Sequence, residues 1–185
     1  MKRLALVGNP NVGKSVVFNA FTGRYVTVSN YPGTTVDLSR GERRWGGVTW
    51  EIVDTPGTVS LEPRSEDEAV TRRLLTEQRP DVVVQVADAK HLRRTLHLTA
   101  ELQAMGLPMV LGLNMADEAR DRGLRIDREQ LQEILGVPVV ETVAVAGEGL
   151  YDLFRAAAGG AKVAKPFLNG AGGAARFEAR DRKIA

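Results

Sequence analysis

The segment Gly8-Asn9-Pro10-Asn11-Val12-Gly13-Lys14-Ser15 constrains the fold more than any other part of the chain. It follows a short apolar run, Leu4–Val7, and opens an amphipathic stretch, Lys14–Phe21. A glycine-rich turn between a strand and a helix lets backbone N–H groups converge on phosphate oxygens, and the helix N-terminus adds the positive end of its dipole. In that setting G-x-x-x-x-G-K-[ST] reads as a phosphate-binding loop, against the plainer reading of a glycine turn that happens to hold a lysine. Lys14 is the candidate for the β- and γ-phosphates and Ser15 for Mg²⁺. Asn9, Pro10, Asn11, Val12, Gly13 and Val16 complete the nucleotide-contacting segment.

The rest of the chain alternates strand and helix signals, as a mostly parallel sheet covered on both faces does. Strand segments are read at Leu4–Val7, Leu38–Trp45, Val48–Val53, Asp81–Ala87, Met109–Leu113 and Val137–Val140, six in all. Gly46-Gly47 suits a tight hairpin between the second and third. Helices are read at Lys14–Phe21, Glu66–Gln78, Leu92–Met105, a segment capped by Asp127 and ended by Gly136, and Leu150–Ala158. Tyr25–Val36, with Pro32 and Gly33, reads as a loop. Composition changes after Ala158, and Gly159-Gly160 and Asn169–Gly173 break helices. The expected organisation is one domain over 1–160, followed by a flexible linker or a truncated or reduced helical appendage over 161–185.

Three further motifs follow in order. Asp54-Thr55-Pro56-Gly57 ends an apolar strand; Asp54 is placed to hold Mg²⁺ through a water, and the Gly57 N–H to reach a γ-phosphate. Between it and the first loop lies Asn30-Tyr31-Pro32-Gly33-Thr34-Thr35, where a threonine that binds Mg²⁺ only beside a γ-phosphate makes a sensor. Thr35 and Thr34 are both candidates from the residues alone. Asn114-Met115-Ala116-Asp117 then follows a buried strand, where ligands bind in open α/β sheets. It matches N-x-x-D: Asp117 can accept from guanine N1–H and the exocyclic amine, a donor pair adenine lacks, while Asn114 tethers the loop. Most such motifs carry lysine at the second position; Met115 keeps the apolar stem and loses the charge. After the last strand Val143-Ala144-Val145 stands where a Ser-Ala pair is expected. The Ala144 N–H is a candidate for guanine O6. The missing serine hydroxyl leaves that loop less braced, which predicts faster nucleotide exchange.

Composition narrows the alternatives. A formal charge of +2, scattered arginines and only two Trp, three Tyr and five Phe argue against a nucleic-acid partner. The absence of cysteine removes disulfides and thiolate chemistry. The longest apolar run, near Leu107–Met115, falls far short of the ~20 residues of a membrane span, and Met1–Val7 is too short for a signal peptide, so a soluble polypeptide is expected. His91 and His97 read as surface or packing residues.

The strings at 8–15, 30–36 (Asn-Tyr-Pro-Gly-Thr-Thr-Val), 54–61 (Asp-Thr-Pro-Gly-Thr-Val-Ser-Leu) and 114–117 resemble the G domain of the FeoB ferrous-iron transporters. Arg79–Val82 and Val86–Ala89 through Thr99 resemble it too, so the likeness covers roughly residues 1–155. It implies a P-loop GTPase (Ras-like) fold binding GTP and GDP with Mg²⁺. It favours Thr35 over Thr34. It implies that Asn11 helps hold an activating K⁺ beside the β- and γ-phosphates, in place of an arginine finger. In that family the G domain lies at the cytoplasmic face of the bacterial inner membrane. It belongs to the same polypeptide as a membrane-embedded permease that imports Fe²⁺, with a helical domain of about a hundred residues between them. No residue here is expected to ligate iron.

The catalytic set implied is Lys14, Asn11, Thr35 and Gly57. Thr58 occupies the position of the water-orienting glutamine of Ras-like enzymes and is too short for that job. The unaided rate is therefore expected to be slow, ~10⁻⁴ to 10⁻² s⁻¹. Two other functions share the same core: an Era-like GTPase of ribosome or RNA maturation, and a non-catalytic nucleotide switch acting through Tyr25–Asp37 and Thr55–Glu68. Arg24, Arg40, Arg43 and Arg44 read as solvated rather than as fingers.

Overall fold

The computed structural model describes residues 1–22 and 26–164. Its strands are β1 (Lys2–Val7), β2 (Val26–Asn30), β3 (Asp37–Trp45), β4 (Val48–Asp54), β5 (Val82–Asp88), β6 (Met109–Asn114) and β7 (Val139–Glu141). They form one sheet in the order β2-β3-β4-β1-β5-β6-β7. The five strands from β4 to β7 in that order are parallel, and β2 and β3 extend the β4 edge antiparallel. Helices α1 (Lys14–Phe21), α2 (Glu66–Glu77), α3 (Leu92–Ala104), α4 (Ala116–Asp121), α5 (Arg128–Leu135) and α6 (Leu150–Gly159) cover both faces.

Side-chain alternation along the strands builds two cores. Leu4, Leu6, Trp50, Ile52, Val82, Val84 and Val86 face Val17, Phe18 and Phe21 of α1 and Leu153, Phe154 and Ala157 of α6. Phe21 and Phe154 meet edge to face at 5.0 Å. Ala5, Val7, Val53, Val83 and Ala87 turn the other way, onto Leu74 and Leu75 of α2, Leu98 and Leu102 of α3 and Leu131 and Leu135 of α5. Local signals set several boundaries. Gly46 and Gly47 both have positive φ, as a two-residue hairpin turn requires. Asp127 accepts from Gln130 N, and Gly136 ends α5 at φ 66°.

The six expected strand segments are joined by a seventh, β2, inside the stretch read as a loop. All five of its residues are exposed, so it carries no one-sided burial pattern to reveal it. Its order comes from backbone pairing to β3, from Val26↔Gly41 to Asn30↔Asp37. Helix α4, only six residues long, was likewise not anticipated within the N-x-x-D region. The last strand begins at Val139 rather than Val137. Past the last helix, Met109 N donates to Lys162 O at 3.0 Å and Ala164 packs on the α2–α5 core. The expectation for 161–185 lies, beyond residue 164, outside the described residues. Among the described residues no helix is long and apolar enough to cross a membrane.

Because β1, β4, β5, β6 and β7 run the same way, Val7, Asp54, Asp88, Asn114 and Glu141 all end at one rim of the sheet. The hairpin loop 31–36 joins that rim, since β3 starts beside the end of β4 (Ser39↔Asp54).

Candidate nucleotide site

β1 runs directly into the loop at residues 8–13, which is packed too closely for side chains at its glycines. A Cβ on Gly8 would stand 2.3 Å from the Val86 carbonyl oxygen. Gly13 has φ 84°, and a Cβ there would stand 2.3 Å from Asn114 Nδ2. Asn11 is also left-handed, at φ 64°, and its side chain is exposed. A cavity of about 300 Å³ opens beside Pro10 and Asn11, bounded across the gap by Asp88, His91, Arg94 and Thr95. Asn9 is buried, and its Nδ2 has no partner.

At the start of α1 two side chains turn toward β4. Lys14 Nζ donates to Asp54 Oδ1 and to the Thr55 carbonyl oxygen. Ser15 Oγ donates to Asp54 Oδ2 at 3.0 Å. The Lys14 and Asp54 side chains are each only 11% exposed. A largely buried ion pair is weak evidence for stability, because desolvation offsets its attraction. Its retention at this rim therefore points to use rather than to folding. Ser15 Oγ and the Asp54 carboxylate are hard oxygen donors on one spot, the donor type that suits Mg²⁺. The residues present fit the ion.

The segment after β4 is drawn tightly onto the phosphate loop. Thr55 donates to Leu6 O through its N–H at 3.2 Å and its hydroxyl at 2.8 Å, and Thr58 N donates to Gly8 O at 2.9 Å. Gly57 lies against Pro10: a Cβ there would meet Pro10 atoms at 3.0–3.2 Å. Thr58 is wholly buried, its hydroxyl oxygen within hydrogen-bonding distance of Thr71 Oγ1 at 3.0 Å and Pro56 O at 3.1 Å. It faces α2 and not the loop. Two carboxylates then hold the remainder of this segment. Glu68 accepts from Val59 N at 3.3 Å and Arg64 N at 2.9 Å. Glu101, on α3, accepts from Ser60 Oγ and Leu61 N, both at 2.7 Å. The Arg64 N–H, foremost among the groups on Glu68, holds that carboxyl below its ordinary 4.5.

The two threonines of loop 31–36 differ. Thr34 Oγ1 donates to Tyr31 O at 2.9 Å and accepts from Val36 N at 3.2 Å, so its hydroxyl braces the turn. Thr35 is exposed, with no contact to Ser15 or Asp54. Tyr31 anchors the loop: it is buried, its hydroxyl donates to Glu77 Oε2 at 3.1 Å, and burial foremost, then Glu77, pushes the phenol up. Of the arginines read as solvated, Arg40 instead donates to Glu51 at 3.0 Å and Arg43 stacks over Trp45 and Phe154. Arg24 lies outside the described residues.

The base-reading corner is organised by Asn114. Its Nδ2 donates to Val12 O at 2.9 Å, and its Oδ1 accepts from Thr142 Oγ1 at 3.1 Å and Ala144 N at 2.9 Å. One amide thus links the phosphate loop, the end of β6 and the turn after β7. The Ala144 N–H, offered in the sequence reading to guanine O6, is here directed at Asn114. Val143 N donates to Glu148 O at 3.1 Å. Val145, in the 3₁₀ turn Ala144–Ala146, is 85% exposed. Asp117 sits in the first turn of α4, partly exposed and without a described partner, so its carboxylate is free to accept. Met115 is held at φ 60°. Val16 is exposed on α1.

Three contributors escaped the sequence reading. Glu68 had a local signal, the Ser65-x-x-Glu68 box at the start of α2. Glu101 and Thr142 had none, because each acts across the fold.

A phosphate loop at the first strand, a Mg²⁺-type donor pair at the end of β4 and an N-x-x-D corner at the end of β6 define a P-loop GTPase domain. The family model described as ferrous iron transport protein B matches residues 2–157, and the chain belongs to that family, FeoB, in its G-domain part. It is 46% identical over 153 residues to an Fe(2+) transport protein A/Fe(2+) transporter FeoB fusion protein from Porphyromonas gingivalis, an alignment covering 82% of this chain and 18% of that one. It superposes on the G domain of the T. maritima FeoB iron transporter with TM-score 0.78 at 41% identity, covering 84% of this chain and 95% of the other. The cytosolic domain of the same transporter in a GDP form gives TM-score 0.84 at 36% identity, covering 100% and 73%. The chain spans about a fifth of the length of the curated relatives it matches. The family model and these relatives support the FeoB reading over the Era-like alternative.

Proposed function

We propose that this domain binds GTP and GDP with Mg²⁺, hydrolyses GTP slowly with stimulation by K⁺, and in a longer native protein regulates Fe²⁺ import through a membrane-embedded permease at the cytoplasmic face of the bacterial inner membrane. The observation that carries the reading is the convergence of Lys14 and Ser15 on Asp54 at a loop that Asn114 ties to the purine corner. The GDP form of a FeoB cytosolic domain with this fold supports it.

Each residue then has a task. Backbone N–H groups of 11–14 and the Lys14 ammonium bind the phosphates, with Asn9 and Pro10 shaping the loop, Val16 flanks them on α1, and the unpartnered Asp117 carboxylate accepts from guanine with Met115 against the base. Val143, Ala144 and Val145 close the base edge, with the Val145 N–H meeting O6 because Asn114 takes the Ala144 N–H. Ser15, Asp54 (through water) and Thr35 hold Mg²⁺, which neutralises charge on the phosphate oxygens when bound. Thr35 has the free hydroxyl, while Thr34 is committed to its turn. The Gly57 N–H, held against Pro10, meets the γ-phosphate. Asn11, exposed beside the loop, is the proposed K⁺ ligand. With Thr58 sealed under α2, no side chain at that position reaches a water, which favours a slow unaided rate. The folded unit in this reading runs past residue 160 to at least Ala164, which the Met109–Lys162 pairing and the packing of Ala164 hold to the domain.

Single-turnover GTP hydrolysis in KCl and in NaCl tests the proposal. Turnover faster in KCl, with the difference lost in Asn11→Ala, is the expected result. Equal rates in both salts remove the K⁺ claim, and no turnover in either leaves a binding switch.

A further inference from the structure

The Asn114–Asp117 corner lacks the lysine that most N-x-x-D motifs carry at the second position. Met115 supplies the apolar stem there and no charge. Yet a cation is present in the same corner, brought from another element. Lys90, in the 3₁₀ turn Ala89–His91 between β5 and α3, donates its Nζ to Met115 Sδ at 3.0 Å. The methionine sulfur occupies the chain position that a lysine's third side-chain carbon, Cδ, would take, two bonds short of its ammonium. The Lys90 ammonium therefore lies close to where a lysine at 115 would have placed one.

Its surroundings hold it there. Glu118 Oε2 is at 2.7 Å and Asp88 Oδ1 at 3.6 Å, and the Lys90 side chain is only 8% exposed. Asp88 also accepts from Lys90 N at 2.9 Å, which fixes the turn that carries the side chain. His91, next along, pairs with the second Asp88 oxygen at 3.0 Å. A four-carbon stem restrained at both ends loses little further freedom when a ligand arrives. A thioether is a weak acceptor, so the contact to Met115 adds little by itself. A purine laid on the Met115 stem would bring its π face and its ribose oxygens to this nearly dry ammonium.

We propose that Lys90 is an affinity-determining nucleoside contact, supplying from the β5–α3 turn the charge absent at position 115. The proposal rests on the nucleotide-binding reading given above. A simple tie between the 3₁₀ turn and α4 is the competing role, and the two roles separate in the variants.

Titration calorimetry and fluorescent-GDP dissociation, with thermal melts as the folding check, provide the test. Lys90→Met, which keeps the stem and removes the charge, is expected to weaken GDP about tenfold, mainly through faster release. Lys90→Met combined with Met115→Lys, which returns the charge from the other side chain, restores affinity to within about threefold of the parent. Glu118→Ala removes the link to α4 while Asp88 still holds the ammonium, so the loss of GDP affinity stays well below that of Lys90→Met. Unchanged GDP binding in Lys90→Met overturns the proposal. So does a failure of Met115→Lys to rescue, or a loss in Glu118→Ala equal to that in Lys90→Met. A parent chain that binds no GDP instead overturns the nucleotide reading itself, and this inference with it.

Discussion

Asn114 shows how much one buried amide can organise. It is 3% exposed and satisfies Val12 O, Thr142 Oγ1 and Ala144 N together. Asn114→Ala leaves those groups without partners in a dry setting, so unfolding free energy should fall by about 2–3 kcal/mol in urea titrations. GDP binding should be lost as well. Gly57→Ala tests a different constraint. Its Cβ would press on Pro10 backbone and ring at 3.0–3.2 Å, so the two segments must part slightly. Single-turnover hydrolysis should fall well before the melting temperature does. The tether role of Asn114 was legible in the sequence because the motif's order and strand context define it. Lys90 was not legible, because its partner Met115 lies 25 residues away and no local pattern links a turn lysine to a distant methionine.

At the scale of elements, the segment from Thr55 to Arg64 is strapped at both sides by carboxylates. Glu68 grips it from α2 and Glu101 from α3. Glu68 has a folded pKa below its ordinary value. Its contribution is therefore present above the unfolded-state value and lost as pH falls through the folded one. Amide protection at Val59 and Arg64, corrected for intrinsic exchange, should decline on acidification below about pH 4.5, and Glu68→Ala should abolish that pH dependence. Glu101→Ala should loosen Ser60 and Leu61 at neutral pH. Helices with flanking punctuation, such as α5 between Asp127 and Gly136, were readable from sequence. The edge strand β2 was not, since exposure on both faces removes the alternation by which strands are recognised. The six-residue α4 hides inside a motif that reads equally well as a loop.

For the molecule as a whole, two apolar layers flank one sheet, and the rim where its parallel strands end carries every motif. The order of motifs along the chain made that rim predictable, while the seventh strand and the straps depended on tertiary placement. GDP with Mg²⁺ should stabilise the domain by mass action, by about 2.7 kcal/mol at a hundred times the dissociation constant. ADP with Mg²⁺ should give no shift, and Lys14→Ala should remove the GDP effect. Thermal melts with each nucleotide check all three.

The sealed position of Thr58 limits how such a protein can keep time. Its side chain fills a closed hydroxyl niche with Thr71, and a longer amide grafted there would be forced into α2. Borrowing the glutamine of Ras-like enzymes would disturb the packing without reaching the phosphates. On the proposed function, the domain's clock is then set from the open side of the rim, by an ion, a neighbouring surface or a partner.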